Sequence, residues 1–415
     1  MSATPQSSAS PNISTPEFVA MTACLMALNA LAIDVMLPAM SEIGRALNVS
    51  NPNDAQFIVV VYMFGFGFSQ LVWGPVTDRF GRKRVLTGVL IAYVLFSLGC
   101  TLAQDFTSLL IWRFCLGIAS GGTRVIATSV VRDLYVGRGM ARIMSLVMTV
   151  FMVVPILAPM LGQQILYVFH VWQSTFGLLA AGGFAMLIWS FFRLPETRPP
   201  EDCTPIDPAS VLKAYKTVFE TREALGYVLG SGIIFGALFA FVSSSEQIFN
   251  DVFKRPDIFV YCFAIPAAAL SIANFTNSRI VEKLGQRRIS HAAVIGFSFF
   301  SLVLLTVVHF FGPNLVVFMA LFALIFMNFG FIGPNFNSMA MEPLGRIAGV
   351  ASGLLGFATT TMAAAIGGFI AHQFNGTLTP VVTGYVGLGL LTLIIVLFTE
   401  KGKLFSAGED APDKA

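Results

Sequence analysis

Apolar runs of about twenty residues recur along this chain, and that is the length an α-helix needs to cross the hydrocarbon core of a bilayer. Twelve such runs are legible, at about 17–40, 54–76, 84–104, 107–128, 141–168, 172–194, 223–248, 257–277, 289–311, 313–338, 347–371 and 378–399. Composition agrees. Of the 415 residues 56% are hydrophobic and only 11% charged, with a mean hydropathy of +0.78, whereas soluble domains carry about 25% charge. The expected fold is an all-α polytopic membrane protein. Residues 1–16 are polar, carry no Lys or Arg and contain no apolar core, so they read as a disordered tail without a cleavable leader.

Basic residues set the expected orientation, because loops facing the cytoplasm accumulate Lys and Arg. With a cytoplasmic N-terminus, 20 of the 25 Lys and Arg fall in cytoplasmic loops, their flanks and the tail. The opposite side holds Arg45, Lys254 and Arg255. Arg113 and Arg124 lie within a span. Both termini are therefore expected in the cytoplasm. The stretch 195–222, rich in proline and charge, separates six spans from six: a bundle over 17–194, this central loop, a second bundle over 223–399, and a tail over 400–415.

The two halves repeat. Asp78-Arg79-Phe80-Gly81-Arg82-Lys83-Arg84-Val85 follows span 2, and Glu282-Lys283-Leu284-Gly285-Gln286-Arg287-Arg288-Ile289 follows span 8, 204 residues later. Acid, base, apolar residue, Gly, two basics and an aliphatic keep register. Short cytoplasmic loops tend to be basic anyway, which accounts for Lys83 and Arg84 but poorly for Gly74, Asp78 and Gly81. A parallel duplication of six spans predicts two bundles about an axis along the membrane normal, with a substrate site between them.

Two charges lie inside the membrane. Asp34 sits in span 1, where a carboxylate costs about 2.5–3.5 kcal/mol at the helix centre and usually belongs to a substrate or proton pathway. At 1.5 Å per residue it lies roughly 9 Å from one face, and Arg113 in span 4 lies roughly 10 Å from the same face. Equal depth permits a pair. A carboxylate beside a guanidinium stays ionised, and one that loses its partner in a dry cavity takes up a proton. The pair either couples protonation to access or only orients helices 1 and 4. Arg124 follows Arg113 by eleven residues, about 20° away on the same helical face. Gly117, Ser120 and Gly121 share that stripe, which is expected to line a cavity with small residues packing beside it. Arg124 either attracts an anionic group on a substrate or snorkels to the interface.

Other positions carry weaker signals. Asp78 could cap a helix of the other half, and Arg82 could pair across the bundles, so that Gly74, Asp78, Arg79, Gly81 and Arg82 latch the cytoplasmic side. Pro155, Pro159 and Gly162 share one face of span 5 and suggest a kink. Glu246 and Gln247 end span 7, where Glu246 is either an interfacial carboxylate or a second protonatable site. Asn274 and Asn335, with Asn328 and Asn337, either line the cavity or bond between helices. The five cysteines show no metal-ligand spacing and read as unpaired. No phosphate-binding G-x-x-x-x-G-K-[ST] run occurs, and the four histidines fall at span ends or in loops, so no enzyme, metal or cofactor is expected.

The stretch Gly74-Pro75-Val76-Thr77-Asp78-Arg79-Phe80-Gly81-Arg82-Lys83-Arg84 resembles the loop 2–3 signature of the major facilitator superfamily. Ile33-Asp34-Val35-Met36-Leu37-Pro38 resembles the first-span motif of its twelve-span drug:proton antiporters, and Arg113 with Gly117 their fourth-span motif. The span-5 match is partial, with Ala158 and Gln163 at glycine positions. Val131-Arg132-Asp133-Leu134-Tyr135 and Leu194-Pro195-Glu196-Thr197 are similar to segments of the bicyclomycin/chloramphenicol-resistance (Bcr/CflA) group. The resemblance implies the two-bundle fold and alternating access. It further implies export of an amphipathic small molecule in exchange for protons, with Asp34 as carrier and Arg113 as its regulating partner. The expected setting is a multi-pass monomer in a bacterial inner membrane, driven by the proton gradient, with no nucleotide and no nucleic acid. The alternatives are a proton-coupled exporter or importer of an endogenous metabolite, or a receptor that keeps the fold without transport.

Overall fold

The computed structural model describes residues 13–135, 137–198 and 208–405. Most of the tail expected over 1–16, the middle of the central loop and residues 406–415 lie outside them.

The described chain is helical throughout. Its helices are α1 (Thr15–Asp34), α2 (Met40–Ala46), α3 (Phe57–Phe80), α4 (Arg82–Thr101), α5 (Phe106–Leu134), α6 (Gly137–Phe169), α7 (Gln173–Arg193), α8 (Pro208–Glu220), α9 (Arg222–Gln247), α10 (Phe259–Leu284), α11 (Gln286–Phe311), α12 (Leu315–Met341), α13 (Ala348–His372) and α14 (Thr379–Thr399). Twelve segments are long and apolar enough to cross a membrane. Helices α1 and α3 to α7 pack among themselves, as do α9 to α14, and the two groups meet chiefly through α3 against α13 and α6 against α10. The outward surface carries side chains such as Phe311, Phe398 and Val316 that are more than three-quarters exposed, as expected of a face solvated by lipid tails.

Three boundaries differ from the sequence expectation. The first span begins at Thr15, capped by Ser14, so the tail is shorter than 1–16. It is also not one helix: α1 stops at Asp34, a 3-10 turn covers Leu37–Ala39, and α2 continues to Ala46. Pro38 supplies the reason, since it has no N–H to donate to the carbonyl four residues back, which is that of Asp34. The third difference is α8 within the central stretch 195–222. Val211, Leu212, Tyr215, Val218 and Phe219 fall at helical spacing there, an amphipathic signal that the flanking prolines and charges hid.

Close packing within the first group relies on reciprocal glycines. A Cβ on Gly65 of α3 would lie 2.1 Å from the Phe114 carbonyl oxygen of α5, and one on Gly117 of α5 would lie 2.1 Å from that of Tyr62 on α3. A Cβ on Gly162 of α6 would lie 1.9 Å from the Val35 carbonyl oxygen. The span-5 signature thus seats α6 against the break in the first span, and α6 is assigned as one helix through both Pro155 and Pro159.

Candidate functional site

A cavity of about 550 Å³ lies between the two groups of helices, within the size range of small-molecule sites. It runs from Asn29 and Ile33 on α1 to Asp78 and Arg132 at the ends of α3 and α5, with Tyr215 of α8 beside its mouth. The mouth therefore lies on the side of the Gly81 loop.

The far side is closed by polar contacts between the halves. Gln56 donates to Gln247 (2.5 Å), and Gln247 donates to Asn53 (3.0 Å). Asn53 in turn donates to the carbonyls of His372 (2.9 Å) and Phe374 (2.7 Å). Ser41 of α2 donates to Glu246 (2.8 Å), which also accepts from Asn250. His372 lies 3.6 Å from Asp54. Glu246 and Gln247 belong to this closure and not to the cavity wall.

Asp34 and Arg113 make no ion pair among the described residues, although the guanidinium reaches the backbone of the first span two residues before Asp34. Asp34 is 6% exposed and Arg113 0%. The helix break redirects the guanidinium: its Nε donates to the Ile58 carbonyl (3.1 Å) and Nη1 to the Ala32 carbonyl (2.9 Å), two residues before Asp34. The Tyr62 ring centroid lies 4.3 Å from the guanidinium carbon. Tyr62 itself donates to Ser120 (2.7 Å) or Asn29 (2.9 Å). Arg113 thus braces α1 against α3, while its enclosed Nη2 has no partner among the described residues. Backbone carbonyls compete for a guanidinium with five donors, here that of Ala32 near the break in the first span and that of Ile58 at the start of α3.

The loop after α3 is held inside its own half, not across the bundles. Arg82 is fully buried and bonds to Asp78 (2.8 Å), Asp133 (2.8 Å) and Thr77 (2.6 Å). Asp78 pairs with Arg198 as well (2.8 Å), so it caps no helix of the other half. That capping role falls to Glu196, which accepts from the backbone N–H groups of Arg82 (2.8 Å) and Lys83 (3.1 Å) at the start of α4. Arg79 is exposed above the Phe80 ring. Gly74 faces open space at the cavity wall and permits no close helix approach.

Most residues expected in the cavity lie elsewhere. Gly117 is buried against Tyr62. Asn335 bonds Asn277 (2.8 Å) inside the second group, Asn274 is absent from the cavity wall, and Asn328 donates to its own helix. Arg124 and Asn337 do line it. The polar wall that sequence reasoning missed is Asn29, Gln70, Ser231, Thr359 and Thr360. Gln70 donates to Thr360 across the halves (3.2 Å). An amide in the middle of an apolar span is the signal that marks Asn29 and Gln70.

Comparison with known proteins places this architecture. The family model of the Major Facilitator Superfamily matches residues 22–368. An uncharacterized MFS-type transporter, YdgK of Bacillus subtilis, is 30% identical over 80% of this chain and 83% of its own. A bicyclomycin resistance protein homolog of Haemophilus influenzae is 29% identical over 94% of this chain and 98% of its own. Among solved structures, the xylose transporter XylE of Escherichia coli, partially occluded and inward open, superposes with a TM-score of 0.70 at 12% identity, covering 92% of this chain and 97% of that one. The twelve apolar helices make this a multi-pass integral membrane protein, and its relatives fit the Bcr/CflA-like group of drug-resistance transporters. The chain belongs to the major facilitator superfamily.

Proposed function

We propose that the protein is a proton-coupled exporter of amphipathic small molecules, working by alternating access in a bacterial inner membrane. The observation that carries this reading is a carboxylate, Asp34, enclosed at a helix break beside a guanidinium that it does not pair with. Arg113 keeps one unpartnered N–H next to the backbone that leads into Asp34, so a small shift of the broken span makes or breaks their contact. Such a contact couples proton uptake and release to the position of α1.

With the basic loops oriented to the cytoplasm, the cavity faces inward and the Gln56–Gln247 closure faces outward. That is the state in which an exporter loads cargo. The resistance-related name borne by the Haemophilus relative supports a drug-like cargo. The polar and aromatic wall of Asn29, Phe66, Gln70 and Phe235 suits an amphipathic molecule.

Proteoliposomes with a pH-sensitive dye inside test the reading. Addition of amphipathic drugs, from a panel holding chloramphenicol, cations and carboxylic acids, is expected to evoke proton movement in the wild type with at least one of them. Asp34→Asn is expected to bind the same drug yet lose about 99% of that signal, the lower end of the roughly hundredfold or greater effect of one positioned proton-transfer group. Full coupling in Asp34→Asn would leave Asp34 structural and direct attention to Glu246. Absence of proton movement with any drug in the wild type would favour a dedicated metabolite transporter.

A further inference from the structure

Arg124 is the charge that the transport cycle described above does not use. It stands in the cavity wall on α5, three turns from Arg113 and exposed to the cavity. Among the described residues its guanidinium has no carboxylate within ion-pair distance and no side-chain hydrogen bond; its one contact of note is the Phe66 ring, 5.7 Å from the guanidinium carbon. Among the described residues, two other charged side chains line the cavity, Asp78 and Arg132. Asp78 is engaged at the mouth by Arg82 and Arg198, each at 2.8 Å, and offers Arg124 nothing. Asp34 does not line the cavity, although its neighbour Ile33 does.

The cavity wall therefore carries excess positive charge inside an apolar shell of Phe66, Phe235, Phe239 and Met63. A guanidinium taken from bulk water without a counter-ion is costly, and a planar five-donor fork is matched best by an oxyanion that bonds two N–H groups at once. Its place in the cavity wall favours the anion-attracting alternative over snorkelling.

We propose that the cargo of this transporter carries a carboxylate or equivalent oxyanion beside an aromatic or aliphatic body, and that Arg124 is the residue that binds that anion. The proposal rests on the transport reading and adds its substrate class. Gln70 and Thr360, joined across the halves at the same cavity, place neutral hydrogen-bonding groups from both bundles within the same wall. Cationic amphipaths, by the same electrostatics, are disfavoured.

The test is equilibrium binding to the purified full-length protein in detergent, using naphthalene-sized carboxylic acids, each matched with its carboxamide and its amine. Wild type is expected to bind acids at least about tenfold more tightly than the matched amides, the scale of one charged hydrogen bond, and amines most weakly. Arg124→Gln is expected to erase the acid preference while keeping amide affinity, and Arg124→Lys to retain part of it as a point charge. Monodispersity and thermal unfolding of both variants separate lost recognition from lost folding. If no acid binds more tightly than its amide in the wild type, or if the preference survives in Arg124→Gln, the proposal is wrong. Binding is read without a gradient, so the result does not depend on whether Asp34 carries the proton.

Discussion

The loops after α3 and α10 share a backbone and differ in how they are fastened. Gly81 and Gly285 lie at φ +87° and +81° with ψ 157° and 149°, a region that only glycine occupies without strain. In the first loop a buried Arg82 gathers Asp78, Asp133 and Thr77. In the second the matching positions are Gln286 and an exposed Glu282, and the pairing basic residue has moved one place on, to Arg287. Its partner is Glu400, at 3.1 Å, which Tyr227 also reaches at 2.5 Å. Glu400, after the last span, stands 204 residues beyond Glu196, which follows the sixth. One acid thus caps a helix through backbone N–H groups while its counterpart binds side chains. A duplicated turn keeps its glycine because the dihedral leaves no choice, whereas its charges are free to find new partners.

The largest way to break this comparison is Arg82→Ala. It takes a buried cation from two carboxylates, and because Asp78 keeps Arg198, Asp133 keeps the Thr197 hydroxyl and both remain partly exposed (37% and 18%) the cost is about 2–3 kcal/mol, below that of a fully buried pair. A thermal melt in detergent reads it, and an unchanged midpoint would show that the cluster holds nothing. Next come Gly81→Ala and Gly285→Ala. Each incurs backbone strain of about 1–3 kcal/mol, but only at Gly81 does the new Cβ meet a neighbour, the Glu196 carboxylate at 2.8 Å. Gly81→Ala is therefore expected to melt at the lower temperature, and equal midpoints would refute the contact. The smallest effects are those of the two matching acids. Glu400→Gln loses charge on a bond to Arg287 and is expected to cost about 1 kcal/mol. Glu196→Gln keeps one oxygen for the Arg82 N–H and loses the acceptor of the Lys83 N–H, which is exposed and can turn to water, so it is expected to cost about half that. Reversal of that order would mean that the two acids do the same work after all.

Much of this architecture was legible from the residues because the bilayer imposes it: an apolar run long enough to span has to be a helix. The repeat was legible because Gly81 and Gly285 obey a backbone constraint that survives divergence. What stayed hidden depends on competition between partners. Nothing local told Arg82 to choose Asp133 over the other bundle, and nothing in the spacing of Asp34 and Arg113 revealed that carbonyls at Ala32 and Ile58 would take the guanidinium first. The break was missed, with one unbroken span expected over 17–40, although Pro38 four residues after Asp34 carries its signal. The cavity wall was the least legible part, because residues such as Thr359 and Thr360 become neighbours of Gln70 only when the halves dock.

The far-side closure is built mostly from amides: Gln56, Gln247 and Asn53 bond one another and two backbone carbonyls. Parting such groups exchanges each bond for one to water at a net cost of about 0.5–1.5 kcal/mol. Neutral groups also feel neither counter-ion screening nor the voltage across the membrane to first order. The amide part of the door opposite the cavity mouth thus parts with nearly the same ease in dilute or salty surroundings, and any response of the closure to salt or voltage has to enter through the charged contacts beside it, Ser41 with Glu246 and His372 with Asp54.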